Sequence, residues 1–328
     1  MPQTQQIIFD AYQSASLHTA TGPLPEPGPM QVAGRTLYSV VSSGTELGLY
    51  QGQHPTAGFP TAPGYAAVFE IESVGPEVAM LEPGDIAFCM GPHQSYQVCG
   101  SRDAVRVPDG LPAQEAGFTR FACVVMSALV TTTARPPDPV LVTGLGVVGL
   151  MAAQVFQTAG YEVIAVDPEA QRREAAALLG VTTVLAEVPL EDPRYAGKVA
   201  LVLECAGHEG AALAGVKMVR KRGEVVLVGV PWAKRTDLTA HELNDAIFHR
   251  YAVVRSGWEW EVPMHPSDFR VGSLHTNLAT GLRWLLEGRL RVDGLYQLMS
   301  PADCQQVYQG LLTHAFDKPA VVYDWGAL

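Results

Sequence analysis

A glycine-rich turn is the strongest candidate for chemistry in this sequence. Its six residues fit the pattern G-x-G-x-x-G and are Gly144, Leu145, Gly146, Val147, Val148 and Gly149. In this pattern the first glycine permits a tight turn, the second lets a pyrophosphate approach the backbone, and the third lets a helix pack closely. The N–H groups at the helix start, together with the positive end of its dipole, would hold the phosphates. The turn therefore predicts a dinucleotide site.

A carboxylate follows the turn at the place expected for a ribose ligand. Asp167 closes the predicted strand after the turn. A carboxylate there hydrogen-bonds the ribose 2′-hydroxyl and repels a 2′-phosphate, so the sequence favours NAD over NADP. Arg172 and Arg173 come next and either hold a phosphate or belong to a solvated helix face.

Strands that alternate with helices position this candidate site. The predicted strands are 140–143, 161–167, 198–207 and 223–231, and the predicted helices are 150–160, 169–180 and 211–223. This alternation is typical of βαβ units, so we expect a doubly wound parallel sheet.

The remaining sequence has a different texture, with short β-branched runs between turns rich in glycine and proline. These runs are Gln5–Phe9, Gln31–Val41, Ala67–Val74, Asp85–Cys89 and Ser95–Cys99. Short strands at this spacing predict a compact β-barrel or sandwich. Near the C-terminus we expect two helices and a closing strand, over Asn277–Glu287, Ala302–Leu312 and 318–325.

Composition narrows the function classes. The 328 residues are 48% hydrophobic and 17% charged, which indicates a globular chain of about two domains. A net charge of −11 opposes binding to nucleic acid or to an anionic membrane. The sequence predicts neither a signal peptide nor a membrane segment. Its five scattered cysteines form no C-x-x-C motif, which favours a cytoplasmic protein without a disulfide framework.

The whole chain resembles the medium-chain dehydrogenase/reductase superfamily, which includes zinc alcohol and polyol dehydrogenases and zinc-free relatives. The similar segments, in family order, are PTAPGYAAVFEIESVGPEV, LEPGDIAF, VLVTGLGVVG, VLECAG and RGEVVLVGVP. The resemblance implies an α/β fold, with a GroES-like β-barrel catalytic domain over 1–122 and 265–328 and a Rossmann NAD(P)-binding domain over 123–264. It also implies a homodimer. Within the superfamily, S-x-G-T-E and P-G-Y-x-A resemble the branch containing bacteriochlorophyllide a dehydrogenase.

The sequence departs from the zinc-dependent members at the metal ligands. Ser43 stands where the family has a thiolate, and Tyr65 stands where it has an imidazole. Near the third ligand position only Glu115 and Cys123 offer donor atoms, and the cysteine-rich lobe is reduced to the short segment Cys89–Val107. Serine and tyrosine are not normal zinc ligands. The resemblance therefore implies a member with neither catalytic nor structural zinc.

Without zinc, hydrogen-bond donors must neutralise the alkoxide that forms during hydride transfer. By resemblance, Thr45 matches a proton-relaying hydroxyl. The phenol of Tyr65 would enter the cleft as a general acid, its pKa lowered by neighbours. Glu46 would orient either group, and His93 or His54 would complete a relay. In the alternative interpretation Tyr65 only fills the vacated zinc site, Thr45 is a turn hydroxyl, and the histidines are ordinary surface or loop residues.

The resemblance assigns further residues to the cofactor. The loops that would flank the nicotinamide comprise Cys205, Ala206, Gly207, Val228, Gly229 and Val230. Lys318 would approach the pyrophosphate, or it is a solvated surface lysine. Trp258 and Trp260 either line an apolar substrate pocket or belong to the core.

The leading hypothesis is a zinc-independent oxidoreductase that transfers a hydride between NAD(H) and a small alcohol or carbonyl compound. One alternative is an NADPH-dependent quinone or enone reductase, which the acidic Asp167 opposes. The other is a dinucleotide-binding protein without catalytic activity, because a fold does not by itself imply a function.

Overall fold

The structure is a computed structural model that describes residues 3–55 and 58–328. The chain divides into two compact units. The first unit comprises Met1–Arg120, Leu278–Leu286 and Gly294–Leu328, and the second comprises Phe121–Asn277 and Glu287–Asp293. The first division lies close to the one expected after residue 122. The second unit, however, continues to Asn277 instead of ending at residue 264, and it includes the separate segment 287–293.

The strands and helices of both units are as follows. The strands are β1 (Gln3–Ala11), β2 (Ser14–Thr21), β3 (Gln31–Val40), β4 (Ala67–Val74), β5 (Ile86–Cys89), β6 (Tyr96–Gly100), β7 (Val105–Arg106), β8 (Pro139–Thr143), β9 (Glu162–Val166), β10 (Thr183–Leu185), β11 (Val199–Glu204), β12 (Val219–Leu227), β13 (Val253–Ser256), β14 (Tyr296–Met299) and β15 (Ala320–Asp324). The α-helices are α1 (Ser43–Tyr50), α2 (Ala113–Ala116), α3 (Thr119–Thr131), α4 (Val147–Thr158), α5 (Ala170–Leu178), α6 (Glu209–Met218), α7 (Ala240–Arg250), α8 (Leu274–Leu286) and α9 (Cys304–Leu312).

The second unit contains a parallel sheet of six strands in the order β10-β9-β8-β11-β12-β13. Every neighbouring pair is parallel. All six residues of β11 are buried, as expected for a strand covered on both faces. The strand order reverses between β8 and β11, and in such sheets ligands bind outside the carboxyl ends of the strands at this point. The expected doubly wound sheet is therefore present.

One predicted helix ends earlier than expected. The sequence predicted a helix through residue 223, but α6 ends at Met218 and β12 begins at Val219. Val219 has an extended backbone and pairs with Val199 of β11. Sheet pairing with a buried strand thus outweighs the helix preference of the Arg-Lys-Arg segment that follows.

The first unit contains a mainly antiparallel sheet in the order β14-β15-β3-β4-β5-β7, with β6 also paired to β3. A separate hairpin is formed by β1 and β2. Between the hairpin, α1 and α9, three aromatic rings pack in the core: the Phe9 centroid lies 5.2 Å from that of Tyr50 and 4.6 Å from that of Tyr308. Helix α1 was not predicted, because its sequence contains two glycines and only a weak apolar periodicity.

Side-chain hydrogen bonds explain why the second unit extends beyond the expected boundary. The Asn277 amide donates to the Ser127 hydroxyl at 3.3 Å, so the start of α8 is bonded to α3. The Gln154 side chain of α4 bonds both backbone groups of Arg291, accepting from its N–H at 2.8 Å and donating to its carbonyl at 3.1 Å. These contacts hold both segments to the parallel-sheet unit. Among the described residues, no helix is long and apolar enough to cross a membrane.

Candidate cofactor and proton-donor sites

The glycine turn closes tightly between β8 and α4. Gly144 has φ +82°, a left-handed conformation that favours glycine. A Cβ on Gly149 would lie 1.8 Å from the carbonyl oxygen of Gly144, so α4 packs directly against the turn. A Cβ on Gly146 would meet no atom within 4 Å. Because Gly146 is the N-cap of α4, this open space adjoins the first N–H groups of the helix, where a pyrophosphate would bind.

Asp167 lies beside the turn and is hydrogen-bonded to it. Its carboxylate accepts a hydrogen bond from the Leu145 N–H at 2.7 Å and another from the Glu169 N–H at 2.8 Å. The side chain is only 1% exposed. Each carboxylate oxygen can accept two hydrogen bonds, so Asp167 keeps capacity for a further donor such as a ribose hydroxyl.

The two arginines after Asp167 differ in their contacts. Arg173 donates to the carbonyl oxygen of Asp167 at 2.9 Å, so its guanidinium is engaged with the loop. Arg172 places Nη1 3.5 Å from the Asp167 carboxylate, and its side chain is 36% exposed. Arg172 is therefore the better placed of the two to reach a ligand. Lys318 belongs to the first unit, where it is exposed just before β15, and its role with the cofactor stays a prediction.

The two loops assigned to the nicotinamide meet at Glu204, the last residue of β11. Its carboxylate accepts hydrogen bonds from the N–H groups of residues 206, 207 and 208 at 2.9, 3.2 and 3.4 Å. Its backbone carbonyl accepts from the N–H groups of Val228 and Gly229 at 2.8 and 2.7 Å. A Cβ on Gly229 would lie 2.2 Å from the Gly207 nitrogen, so the loops are in contact.

Glu204 also has a strongly shifted pKa. Burial raises its pKa to about 7, and the three N–H donors only partly offset that effect. The side chain is 2% exposed. It lines a cavity of about 320 Å³ whose other walls include His208, Glu209, Leu213 and Leu243.

In the first unit, the sequence-predicted Tyr65 and Thr45 lie together in a cluster of three hydroxyls. The Tyr65 hydroxyl donates to Ser42 Oγ and lies 3.0 Å from Thr45 Oγ1. Helix α1 positions both partners, since Ser42 is its N-cap and Thr45 is in its first turn. Each hydroxyl has one proton to donate and lone pairs to accept, so the three can pass a proton along.

The pKa of Tyr65 moves in the opposite direction to the one predicted. Burial raises the pKa of the phenol, and the hydrogen bonds to Ser42 and Thr45 and the charge of Arg120 only oppose that shift. The expectation of a lowered pKa was wrong, because the loss of hydration raises the pKa of Tyr65 by more than its neighbours lower it. The phenol stays protonated near neutral pH and is a hydrogen-bond donor there.

A buried cation lies over the Tyr65 ring. The Cζ atom of Arg120 is 4.9 Å from the ring centroid, within the range of a cation–π interaction. The Arg120 residue is only 5% exposed. It is the one charged residue in the apolar run 116–130, which contains the segment Ala116–Phe121 where the resemblance places the third zinc ligand.

Glu46 and His93 belong to a buried network behind the hydroxyl cluster. Glu46 is fully buried, and its carboxylate accepts from the Ser42 N–H at 2.8 Å and from the Tyr308 hydroxyl at 2.5 Å. His93 Nε2 lies 3.1 Å from the same carboxylate, and Nδ1 lies 2.7 Å from Ser39 Oγ.

This arrangement corrects two expectations. Glu46 has no hydrogen bond to Tyr65 or Thr45. It acts on them through Ser42 and the start of α1, and its charge contributes to the raised pKa of Tyr65. His93 lies in the loop before β6 and is fully buried, so the loop position of the alternative is found but a surface position is not. Its hydrogen-bond partners are Glu46 and Ser39, which makes it a support for the network. His54 is partly buried on the loop after α1.

The hydroxyl cluster does not suit a catalytic zinc ion. Zinc prefers thiolate, imidazole and carboxylate ligands, whereas Ser42, Thr45 and Tyr65 offer neutral hydroxyls. The guanidinium of Arg120 above the Tyr65 ring would also repel a dication. In the described part of the chain, no three His, Cys, Asp or Glu side chains are grouped so that they could hold a metal.

Sequence reasoning missed three residues that the structure places in these sites. Arg120 could have been found from the sequence, because it is a lone charged residue in an apolar run. The same feature marks Glu204, at the end of the apolar strand VALVLE. No sequence feature distinguishes Ser42, because the adjacent Ser43 has the same side chain and stands at the family's ligand position. Which serine meets Tyr65 depends on where α1 begins.

The chain is similar in sequence to known dehydrogenases. The family model described as zinc-binding dehydrogenase matches residues 147–261. A sorbitol dehydrogenase from Halalkalibacterium halodurans is 25% identical over 249 residues, covering 63% of this chain and 71% of that protein. The 2-desacetyl-2-hydroxyethyl bacteriochlorophyllide A dehydrogenase of Cereibacter sphaeroides is 27% identical over 280 residues, covering 79% and 82%.

Solved structures resemble the whole chain. A putative zinc-binding dehydrogenase from Sinorhizobium meliloti, bound to NADP, has a TM-score of 0.81 at 17% identity and covers 99% of this chain and 100% of that one. Acetophenone reductase from Geotrichum candidum, in complex with NAD, has a TM-score of 0.80 at 16% identity, covering 99% and 98%. These likenesses confirm the predicted fold class, an α/β chain with a Rossmann domain and a GroES-like domain.

The glycine turn yields a paired prediction. Gly146→Ala adds a methyl group in open space, so stability should change by no more than about 1 kcal/mol. The same methyl group would meet an approaching pyrophosphate, and NADH affinity should fall at least about tenfold. Gly149→Ala would instead collide with Gly144 and lower the melting temperature. Thermal melts and NADH titration of both variants separate the two roles, and equal NADH affinity for wild type and Gly146→Ala would contradict the assignment.

Proposed function

Because this chain is a member of the medium-chain dehydrogenase/reductase superfamily and an alcohol dehydrogenase-like oxidoreductase, we propose that it transfers a hydride between NAD(H) and an alcohol/carbonyl pair without zinc. The observation that carries the proposal is the hydroxyl cluster of Tyr65, Ser42 and Thr45 beneath the Arg120 guanidinium. In this proposal Tyr65 would supply a proton donor and Arg120 a positive charge, both near positions where the resemblance puts zinc ligands.

The second unit contains the groups that a dinucleotide requires. Gly146 would leave room for the pyrophosphate, the first N–H groups of α4 would donate to it, and Asp167 would accept from the ribose. The loops 205–207 and 228–230 would flank the nicotinamide. A bound nicotinamide supplies the hydride acceptor or donor that the protein itself lacks.

The choice of NAD over NADP is supported by Asp167. Its buried carboxylate would repel a 2′-phosphate, and it is tied to the glycine turn through Leu145, so it cannot easily move away. Arg172 lies 3.5 Å from this carboxylate and offsets part of its charge. We therefore expect a preference for NAD and not a complete exclusion of NADP.

The proton would come from Tyr65. When a carbonyl is reduced, negative charge develops on its oxygen, and a phenol hydrogen-bonded to two hydroxyls can donate to that oxygen. Ser42 and Thr45 would replace the proton, and the nearby Arg120 would stabilise the negative charge. An alkoxide is far more basic than a phenolate, so a phenol with a raised pKa still protonates it.

We propose a small-molecule alcohol as the substrate class. The relatives named above include a sorbitol dehydrogenase and a dehydrogenase whose name contains a hydroxyethyl group. A homodimer and a cytoplasmic location complete the proposal. The homodimer rests on the resemblance alone, and the cytoplasmic location rests on the five scattered cysteines.

Removal of one oxygen tests the proton donor. Tyr65→Phe should lower kcat for carbonyl reduction by roughly 10²–10⁴ while NADH affinity is kept, because only the phenolic donor is lost. Tyr12→Phe makes the same chemical change at an exposed position and should match wild type. Steady-state kinetics over a panel of ketones and aldehydes would measure both. Wild-type turnover in Tyr65→Phe would refute the role, and no turnover by any of the proteins would favour a non-catalytic binding protein.

Removal of one charge tests the cofactor preference. Asp167→Asn keeps an acceptor for the Leu145 N–H but loses the negative charge, so the ratio of NADPH to NADH affinity should rise about tenfold or more. Glu169→Gln loses an exposed charge two residues away and should leave the ratio unchanged. Fluorescence titrations with both cofactors provide the measurement. Preferential NADPH binding by wild type would instead favour a quinone or enone reductase.

Metal removal tests zinc independence. Dialysis against a strong chelator should leave turnover within about twofold of the untreated enzyme, because the hydroxyl cluster offers no normal zinc ligand set. Elemental analysis of the purified protein should find far less than one zinc per chain. Stoichiometric zinc whose loss abolishes turnover would overturn this part of the proposal.

A further inference from the structure

Glu204 is a buried carboxylate that the proposed hydride transfer does not use. It is 2% exposed at the end of β11, with Thr143 of β8 and Leu227 of β12 as its neighbours in the sheet. Such a group is costly to bury unless hydrogen bonds compensate for the lost hydration. Its five backbone partners lie in two separate loops, so Glu204 is bonded to both of the loops assigned to the nicotinamide.

The ionisation state of Glu204 decides how firmly the first of these loops is bound. An ionised carboxylate only accepts hydrogen bonds, which suits the three N–H groups of residues 206–208. A protonated carboxyl presents a hydroxyl where one of these donors points, and hydrogen bonds to neutral groups are weaker than those to charged groups. Protonation therefore weakens the attachment of residues 206–208 but leaves the backbone bonds to residues 228 and 229 in place.

Glu204 gains or loses its proton in a pH range that is accessible to experiment. Burial raises the pKa of Glu204 to about 7, so the carboxyl is largely ionised at pH 8 and largely protonated at pH 6. The titratable side chains around it are Cys205 next to it in the chain, and His208 and Glu209 at the start of α6. From α7 the cavity wall contributes Thr239, Ala240 and Leu243, which do not titrate.

We propose that Glu204 is a positioning residue for the cofactor: ionised, it fixes residues 205–208 against 228–230 in the binding conformation, and protonated, it releases them. The inference rests on the proposed function, because the same loops flank the nicotinamide there. Cofactor affinity then decreases as the solution becomes more acidic.

The first test compares NADH binding at two pH values. If only the ionised form holds the loop, about one tenth of the wild-type protein is competent at pH 6, and the NADH Kd should be about tenfold higher than at pH 8. Glu204→Gln cannot ionise, so its Kd should be the same at both values. Quenching of tryptophan fluorescence measures the Kd of the full-length protein.

Two matched variants exclude the neighbouring groups. His208→Asn removes the imidazole but keeps an N-cap side chain for α6. Glu209→Gln removes the other nearby charge. Both should retain the tenfold effect of pH. If His208→Asn abolishes that effect while Glu204→Gln keeps it, the imidazole is the titrating group and the proposal is overturned.

A second readout does not depend on NADH. Amide hydrogen exchange of residues 206–208 in the cofactor-free protein, corrected for the intrinsic effect of pH, should show several-fold less protection at pH 6 than at pH 8. Glu204→Gln should abolish this difference, and if that variant does not fold, the comparison of wild type with His208→Asn still decides. Absence of NADH binding at every pH refutes the proposed function alone. Exchange protection that is equal at both pH values in wild type refutes the role of Glu204, whether or not NADH binds.

Discussion

The contact between α4 and the carbonyl of Gly144 is the constraint on which the second unit depends. The gap is too small for a Cβ, so the helix begins directly at the carboxyl end of β8. The turn also fixes the Leu145 N–H, which donates to the carboxylate of Asp167, the residue directly after β9. A single close approach of two backbones thus sets the positions of the open space at Gly146, the N–H groups of α4 and the Asp167 carboxylate.

A different constraint organises the first unit. Glu46 is a fully buried carboxylate, and a buried charge must be hydrogen-bonded to be tolerated. Its partners are the Ser42 N–H at the start of α1, Tyr308 of α9 and His93. This network fixes where α1 begins. The start of α1 in turn decides which hydroxyls meet Tyr65.

The two units contain buried carboxylates with contrasting surroundings. Glu46 is bonded to a backbone amide, a phenol and an imidazole from distant parts of the chain. The carboxylate of Glu204 is bonded to backbone N–H groups of the loop that follows it in the chain, and its burial raises its pKa to about 7. The first arrangement supports a fixed scaffold. The second arrangement gives Glu204 a pKa near neutral pH, so a modest change in the pH of the solution alters the charge of its carboxyl group.

The sequence by itself determined the two-part organisation, the parallel sheet, the glycine turn and Asp167, because these depend on local periodicity and on a short motif. Only the tertiary structure decided the rest. It chose Ser42 over Ser43, gave Glu46 a partner 262 positions away in Tyr308, and brought Arg120 over Tyr65. It also decided that the pKa of Tyr65 rises, because hydration is lost only when distant segments pack around the phenol. Contacts between residues far apart in the chain leave no periodic trace in the sequence, so they could not be predicted from it.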